Sequence, residues 1–266
     1  MSAEVQTIRQ GLSLRGIPSS AREPVIGFAL IILVWELIAR FFIEFPVLLP
    51  SPVVVWGALT ENWSLYLRET GYTMFEVLFG FVAGFLLGFL SAVGIFYSPL
   101  LRRFLYPVLL GARIVPKAAF VPLFVIWFGI GVSSKVALAS FGIFFLVLVQ
   151  TLLGFRGLGP ELVELGRSLH MSERLMFVKM RLPAALPAMM VGVKLSITYA
   201  LTLVVVAEMA IASNGVGWVI IEARARFQTA EMLAGIVMVA VAGLFLYELG
   251  GWIERRTTFW NVDERP

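Results

Sequence analysis

Apolar residues along the chain form six long runs that are separated by short polar connections. The runs cover residues 25–44, 73–97, 104–128, 135–153, 184–212 and 232–252. A helix of roughly 20 apolar residues is long enough to cross the hydrocarbon core of a bilayer. The pattern therefore predicts an all-α, polytopic membrane protein with six transmembrane helices.

The composition supports a membrane protein and excludes several kinds of chemistry. Of the 266 residues, 59% are hydrophobic and only 14% are charged, and the mean hydropathy is +0.91. The chain has no cysteine and a single histidine, which excludes disulfides, thiolate catalysis and Cys/His zinc sites. The first apolar run is longer than the core of a signal peptide and has no small-residue cleavage site after it, so we expect it to remain as a helix.

Lys and Arg residues are unequally divided between the two sides of these spans. Thirteen fall in segments on the side of the N-terminus and five on the opposite side. Connections rich in Lys and Arg stay in the cytoplasm. We therefore expect residues 1–24 and 254–266 to be cytoplasmic segments, and the connection 154–183 to lie on the same side.

Two connections on the opposite side carry signals for short helices. Ser51 and Pro52 suit the N-cap and the first position of a helix, so segment 25–71 is expected to hold the first span and an outer surface helix. The connection 213–231 opens with a glycine-containing turn and continues into apolar residues, which is typical of a short surface or re-entrant helix. The other five spans form a core over 72–253.

The third span contains Pro107, Pro116 and Pro122, which free backbone carbonyl groups inside the membrane. Such groups are tolerated only against protein or a water-filled cavity. A broken helix that lines a solute route and a kinked helix that only packs against its neighbours both fit this pattern.

Charged side chains in the spans allow two interpretations. Arg113 and Lys117 are four residues apart, so they would lie on one helix face, and beside Pro116 they would attract an anionic solute. Alternatively, the two cations form internal ion pairs with Glu208, with Glu76 as a further partner, which leaves no charge for a solute. We take Arg113, Pro116, Lys117 and Glu208 as candidate residues of the pathway.

The connection 154–183 is longer and more charged than a simple link between two spans requires. Pro160 and Glu161 predict a helix start, with proline and a carboxylate in the first turn. Ser172 can cap a second helix, which ends before Pro183 because the residue preceding a proline avoids the helical conformation. A helix–turn–helix elbow is therefore expected.

The first helix of this elbow presents a surface that suits a partner. Leu162, Leu165 and Leu169 recur every three or four residues and form a narrow apolar stripe with a charged rim. Gly166, on the same side, allows another surface to approach closely. Such a patch suits a groove on a partner protein, and a loop lying on lipid headgroups is the alternative.

In the elbow, Glu164-Leu165-Gly166 is followed by Leu182-Pro183-x-Ala185-Leu186-Pro187. This arrangement resembles the EAA loop of permease subunits in ATP-binding-cassette (ABC) importers. Further stretches resemble the nitrate/sulfonate/taurine branch of that family, and together they cover most of the chain. They are LLPSP at 48–52, RIVPKAAFVPLFVIWFGIG at 113–131, SK at 134–135, LGFRGLGPELVELGRSL at 153–169, VVAEM at 205–209, NGVGW at 214–218 and ERRTTFW at 254–260.

Three positions depart from the pattern of this family. His170 stands in the bend where glycine is usual, Gln150 where asparagine is common, and Glu76 at an often basic position. These differences leave the expected fold intact and bear on the identity of the solute.

The resemblance implies a type I ABC importer permease of the bacterial inner membrane, with a five-helix core and one added N-terminal helix. It also implies partners: cytoplasmic ATPase subunits, a periplasmic or lipid-anchored solute-binding protein, a second copy in a homodimer and membrane lipid, but no nucleic acid. The cargo would be a small solute such as nitrate, a sulfonate or taurine, with a thiamine precursor or riboflavin as the alternative. The residues implied in coupling to the ATPase are Glu161, Glu164, Leu165, Gly166, Arg167, Ser168, Leu169 and His170.

The sequence has no phosphate-binding loop for a nucleotide. Such a loop needs glycine directly before its lysine, whereas the four lysines follow Pro116, Ser134, Val178 and Val193. We therefore expect no enzymatic activity and no cofactor in this chain, with ATP bound by the partner subunit.

Two other kinds of membrane protein fit the sequence less well. An ion-driven secondary transporter would show inverted repeats, and none is clear. A scaffold or channel subunit would leave the elbow unexplained.

Overall fold

The structure, a computed structural model, describes residues 19–45, 47–211 and 213–259. Regular structure in these ranges is helical throughout, which confirms the all-α prediction. Residues 1–18 and 260–266, which belong to the two expected cytoplasmic segments, lie outside the described residues. The helices are α1 (Ser19–Phe41), α2 (Pro52–Glu61), α3 (Trp63–Tyr97), α4 (Pro99–Ile114), α5 (Val121–Phe128), α6 (Val132–Arg156), α7 (Pro160–Ser168), α8 (Glu173–Met176), α9 (Leu182–Ile211), α10 (Val216–Ala225) and α11 (Thr229–Thr257), with a 3-10 turn over Lys117–Phe120 and a π-helical turn over Phe177–Arg181.

Several of these helices are long and apolar enough to cross a membrane. Within the described residues they are α3, α6, α11 and the continuous helix Glu173–Ile211, and the bent pair of α4 and α5 would make a fifth crossing. The helix α1 covers most of the first predicted apolar run and ends at Phe41, before the predicted end at 44. The multi-span architecture is thus confirmed, whereas the number of six spans stays a prediction. The surface helix α2 begins at Pro52 as expected, but α3 begins at Trp63, well before the predicted start at 73.

The third predicted span is broken, and its two parts, α4 and α5, meet at an angle of 95°. The break lies at Val115 and Pro116, where extended backbone ends α4. Pro122 lies in the first turn of α5, where a backbone N–H has no partner within the helix, so the lack of this group in proline costs no hydrogen bond. Pro107 lies inside α4, which continues through it. One proline of the three therefore coincides with the interruption, and of the two interpretations that the sequence allowed, the broken helix is the one observed.

The helices α6 and α9 form the centre of the bundle. In α6 and in the continuous helix that contains α9, 56% and 61% of the most apolar stretch is buried, compared with 28% in α3 and in α11. The helix α3 approaches α6 closely because Gly80, Gly84 and Gly88 recur every four residues on the contact face. A Cβ atom at any of these positions would lie within 2.8 Å of an atom of α6.

The elbow between α6 and α9 is present, but it ends differently from the prediction. Ser172 caps α8, its hydroxyl accepting a 3.3 Å hydrogen bond from the N–H of Leu175. The predicted end before Pro183 is wrong, because the chain stays helical through the π-turn into α9. Proline normally breaks a helix by clashing with the carbonyl four residues earlier. The wider turn that precedes Pro183 gives that carbonyl more room.

Candidate functional site

A cavity of about 430 Å³ lies between the α4–α5 break and the central helices α6 and α9. Its wall combines two cationic side chains, hydroxyl groups and aromatic rings. It is lined by Arg113, Lys117, Gly142, Phe145, Leu146, Leu195, Thr198, Tyr199 and Thr202. The cavity therefore has the chemistry to hold a small polar or charged solute inside the membrane.

Lys117 is fixed by the end of α4 rather than left free for a solute. Its ammonium group donates to the carbonyl oxygens of Ala112 (2.7 Å), Arg113 (3.1 Å) and Val115 (2.7 Å). An ammonium has three donors, so all three are engaged. The same nitrogen lies 4.7 Å from the ring centroid of Phe145, and the residue is only 4% exposed. Lys117 is thus a cation that caps a helix C-terminus.

Arg113, unlike Lys117, has a side-chain cation without hydrogen-bond partners in the described structure. It is exposed to the cavity, and its guanidinium makes no hydrogen bond or ion pair among the described residues. The expectation that Arg113 and Lys117 share one helix face is wrong, because α4 ends at Ile114. Both nevertheless line the same cavity, in which the guanidinium of Arg113 remains available to a ligand.

Glu208 lies away from these cations, in a separate buried network. Its carboxylate accepts hydrogen bonds from the hydroxyl of Thr73 and from the N–H of Gly217, both at 2.8 Å, and the residue is 1% exposed. The predicted internal pairing of Arg113 and Lys117 with Glu208 is therefore wrong. Of the four pathway candidates, Arg113 and Lys117 line the cavity, whereas Glu208 and Pro116 do not.

The network around Glu208 holds the first turn of α10. The N–H of Gly215 donates to Glu69 (2.8 Å) and the N–H of Val216 to the hydroxyl of Thr73 (2.9 Å). Three consecutive N–H groups at this helix start are thus each bound by a side chain of α3 or α9. Carboxylates at a helix N-terminus are also favoured by the helix dipole.

A buried ion pair between Glu76 on α3 and Lys135 on α6 adjoins this network. The expectation that Glu76 is a further partner of Arg113 and Lys117 is therefore wrong. A carboxylate inside a span requires a partner, so Glu76 was the signal that a cation had to face it. The sequence alone could not show that Lys135 lies far enough inside α6 to be that cation.

The elbow places its predicted coupling residues on the surface, with one exception. The side chains of Leu162, Leu165 and Leu169 are 47%, 52% and 65% exposed, so the apolar stripe is present. Gly166 is buried instead. The exposed members of the predicted set are Glu161, Glu164, Leu165, Arg167, Ser168, Leu169 and His170.

Gly166 permits close packing inside the elbow itself. A Cβ atom there would lie 3.1 Å from both the methyl carbon of Met176 and the sulfur of Met180. The surface that approaches this glycine therefore belongs to the same chain, where flexible methionine side chains fill the space beneath α7.

His170 occupies the bend after α7 with a φ of +52°. The N–H of His170 donates to the carbonyl of Arg167 (2.9 Å) and that of Met171 to the carbonyl of Gly166 (3.0 Å). This is a helix-terminating motif in which glycine normally takes the left-handed position. The bend therefore has the conformation for which glycine is the usual residue, although histidine stands there.

Comparison with known proteins identifies similar chains along most of the sequence. A family model described as binding-protein-dependent transport system inner membrane component matches residues 84–259. The putative aliphatic sulfonates transport permease protein SsuC of Bacillus subtilis is 33% identical over 236 residues, covering 88% of this chain and 85% of that protein. The formylaminopyrimidine transport permease protein ThiX of Halalkalibacterium halodurans is 28% identical over 225 residues, covering 84% and 90%.

A solved structure has the same fold. Inward-facing MetNI, a methionine ABC transporter, matches with a TM-score of 0.59 and 19% identity, covering 78% of this chain and 99% of that chain. At this identity the match concerns the arrangement of the helices.

Proposed function

Because the chain belongs to the family of binding-protein-dependent transport system inner membrane components and is a permease subunit of an ABC importer, we propose that its cavity is the solute pathway and its elbow the coupling site. As a transporter subunit it is not an enzyme, and ATP is hydrolysed by a separate ATPase. Both termini face the cytoplasm of a bacterial cell, in agreement with the excess of Lys and Arg on that side.

The elbow docks in a cleft of the ATPase through α7. The exposed leucine stripe supports this role, because an apolar face on a short helix gains free energy by entering a groove on a partner. Charged side chains on either side, among them Glu161, Glu164 and Arg167, form the polar rim of the contact. Because α8, the π-turn and α9 follow in one helix, movement of α7 reaches the central helix directly.

Two further partners complete the transporter. A second copy of the chain covers α4, which buries none of its residues within the described part of its own chain. A solute-binding protein delivers the cargo to the outer ends of the helices. ATP binding then switches the pathway from inward- to outward-facing by a rigid-body movement, and hydrolysis resets it.

The cargo is a small anion such as a sulfonate, taurine or nitrate. The observation that carries this proposal is the unpaired guanidinium of Arg113 in a membrane-embedded cavity, where a cation without a counter-ion is costly. A guanidinium binds planar or tetrahedral oxyanions through paired hydrogen bonds. The aromatic wall formed by Phe145 and Tyr199 favours a second candidate, a planar pyrimidine or flavin ring.

The docking proposal is tested by co-purification of the tagged chain with its ATPase. We expect Leu165→Asp to abolish recovery of the ATPase while the protein still enters the membrane. Leu48→Asp is the matched control, since Leu48 is 70% exposed in the connection at the opposite end of the bundle. Equal recovery of the ATPase from the Leu165→Asp variant and the unmodified protein would contradict docking through α7.

The cargo proposal is tested by solute uptake in membrane vesicles. Taurine, an alkanesulfonate and nitrate would be compared with a formylated aminopyrimidine and riboflavin, each supplied together with a solute-binding protein that carries it. Uptake of an anion that is lost in Arg113→Gln supports the proposal. If the protein takes up a neutral ring compound and this uptake is unchanged in Arg113→Gln, the proposal of an anionic cargo is overturned and the second candidate is supported.

A further inference from the structure

The helix α7 packs against the rest of the elbow chiefly through one glycine. Within the described structure, Gly166 is the only buried residue of α7. Val163 is half-buried, and the other residues of this helix are exposed. The position of α7 therefore depends on what packs against Gly166.

Three methionine side chains meet at this glycine. From the position that a Cβ atom of Gly166 would take, the sulfur of Met180 lies 3.1 Å away, the sulfur of Met171 3.7 Å and the methyl carbon of Met176 3.1 Å. These methionines come from the π-turn, from the turn after α7 and from α8. The contact beneath α7 is thus made by thioether groups.

Two of the three methionines are open to solvent. Met171 and Met180 are partly exposed, whereas Met176 is 1% exposed. A thioether is oxidised by peroxides to a polar sulfoxide, and an accessible sulfur reacts more readily than a shielded one. Reactive sulfur atoms therefore lie at the one buried point of α7.

Oxidation would replace an apolar contact with a polar group that has no partner there. A sulfoxide oxygen accepts hydrogen bonds, and Gly166 has no side chain to donate one. Its carbonyl oxygen, which accepts the N–H of Met171 at 3.0 Å, would repel a second acceptor. The sulfoxide therefore either stays unpaired against α7, which is unfavourable, or turns to water and draws its sulfur away from the glycine. In both cases the packing beneath α7 is lost.

We propose that Met171 and Met180 form a modification site at which hydrogen peroxide controls the attachment of α7. At each methionine a sulfur lone pair attacks the peroxide, the O–O bond breaks, and a sulfoxide and one molecule of water are formed. The sulfur is oxidised by two electrons and the peroxide is reduced. A methionine sulfoxide reductase restores the thioether, with two thiols converted to a disulfide and water. The site makes the elbow sensitive to oxidants in a chain that has no cysteine.

The consequence for transport rests on the proposed function. Because the leucine stripe of α7 docks on the ATPase in that proposal, release of α7 uncouples the permease from its ATPase until the sulfoxides are reduced. The loosening of α7 itself does not depend on docking.

The test treats the full chain, purified in a mild detergent, with hydrogen peroxide. Peptide mass spectrometry is expected to find sulfoxide at Met171 and Met180 before Met176. Amide hydrogen exchange in α7 is expected to become about tenfold faster, and methionine sulfoxide reductase with dithiothreitol should return it to its original rate. Unchanged exchange in α7 after both methionines are oxidised would overturn the proposal, as would oxidation of Met176 ahead of them.

Two variants separate this site from general oxidative damage. A variant that combines Met171→Leu with Met180→Leu keeps apolar side chains of similar volume and should make exchange in α7 insensitive to peroxide. Met209→Leu is the matched control, because Met209 is 37% exposed but lies at the far end of α9; α7 should respond to peroxide in this variant as in the unmodified protein. An equal response in all three proteins would overturn the proposal. The reversal by the reductase in the unmodified protein decides the outcome if the double variant does not fold.

Co-purification of the ATPase with the oxidised protein separates the modification site from the docking proposal. Loss of the ATPase together with faster exchange in α7 supports both. Faster exchange with full recovery of the ATPase supports the modification site and contradicts docking through α7.

Discussion

Glu76 on α3 and Lys135 on α6 form an ion pair in which neither side chain is more than 2% exposed. The pair joins two helices that already touch along a glycine face, and it lies next to the carboxylate of Glu208. Removing one partner would leave an uncompensated charge in the interior, which is far more costly than the pair itself is stabilising.

We therefore expect Lys135→Met to destabilise the protein by about 3–5 kcal/mol, measured as a lower midpoint of thermal unfolding in detergent. Combining Lys135→Met with Glu76→Met removes both charges and is expected to recover most of that loss. A double variant that is no more stable than Lys135→Met would show that the two side chains do not act as a pair.

The turn before α10 should tolerate no side chain at Gly215. Its φ is +98°, and a Cβ atom would lie 2.0 Å from a carboxylate oxygen of Glu208. We expect Gly215→Ala to lower the free energy of unfolding by at least about 1–3 kcal/mol, from backbone strain alone. Gly71→Ala is the control, because Gly71 lies within α3 with open space around its Cα; it should be neutral or stabilising.

The bend at His170 is expected to be stabilised by glycine. Because φ is +52° there, His170→Gly should stabilise the elbow by about 1 kcal/mol, visible as slower amide hydrogen exchange at Met171. The same change at Arg174, inside α8, should speed exchange in that helix, since glycine disfavours helical conformation. Faster exchange at Met171 in His170→Gly would mean that the histidine side chain itself supports the bend.

Of the two cations that line the cavity, we expect Lys117 to contribute to stability and Arg113 to solute uptake. Lys117→Met leaves two carbonyl groups of α4 and that of Val115 without their donor, so we expect a loss of stability of at least about 1–3 kcal/mol. Arg113→Gln removes no hydrogen bond or ion pair within the described structure and should leave the unfolding midpoint unchanged while it lowers uptake of an anionic solute. Equal destabilisation by the two changes would contradict this division.

The sequence predicted the features that depend on local pattern. Apolar runs located the long helices, the Ser51-Pro52 pair located α2, and the three prolines marked the span that is interrupted between α4 and α5. The leucine stripe of α7 was likewise readable from spacing alone. These features depend on neighbouring residues and on the membrane, so they do not require knowledge of which helices touch.

What the sequence could not predict depends on contacts between distant segments. Lys135 faces Glu76 only because α3 and α6 pack closely, and Glu208 turns to the start of α10 rather than to Arg113. The helix likewise continues past Pro183 because a π-turn widens the backbone just before it. In each case the pattern offered several partners or endings, and tertiary packing selected one.

The π-turn at Phe177–Arg181 has a consequence for every residue that follows it. Successive residues of an α-helix are rotated by about 100° around its axis, and a π-turn accommodates one residue more than an α-turn does. The phase of α9 is therefore set at the elbow, and it determines that Thr198 and Thr202 line the cavity while Ser196 is buried. Deletion of one residue within this turn would turn a different side of α9 toward the solute, without altering any residue of the cavity wall itself.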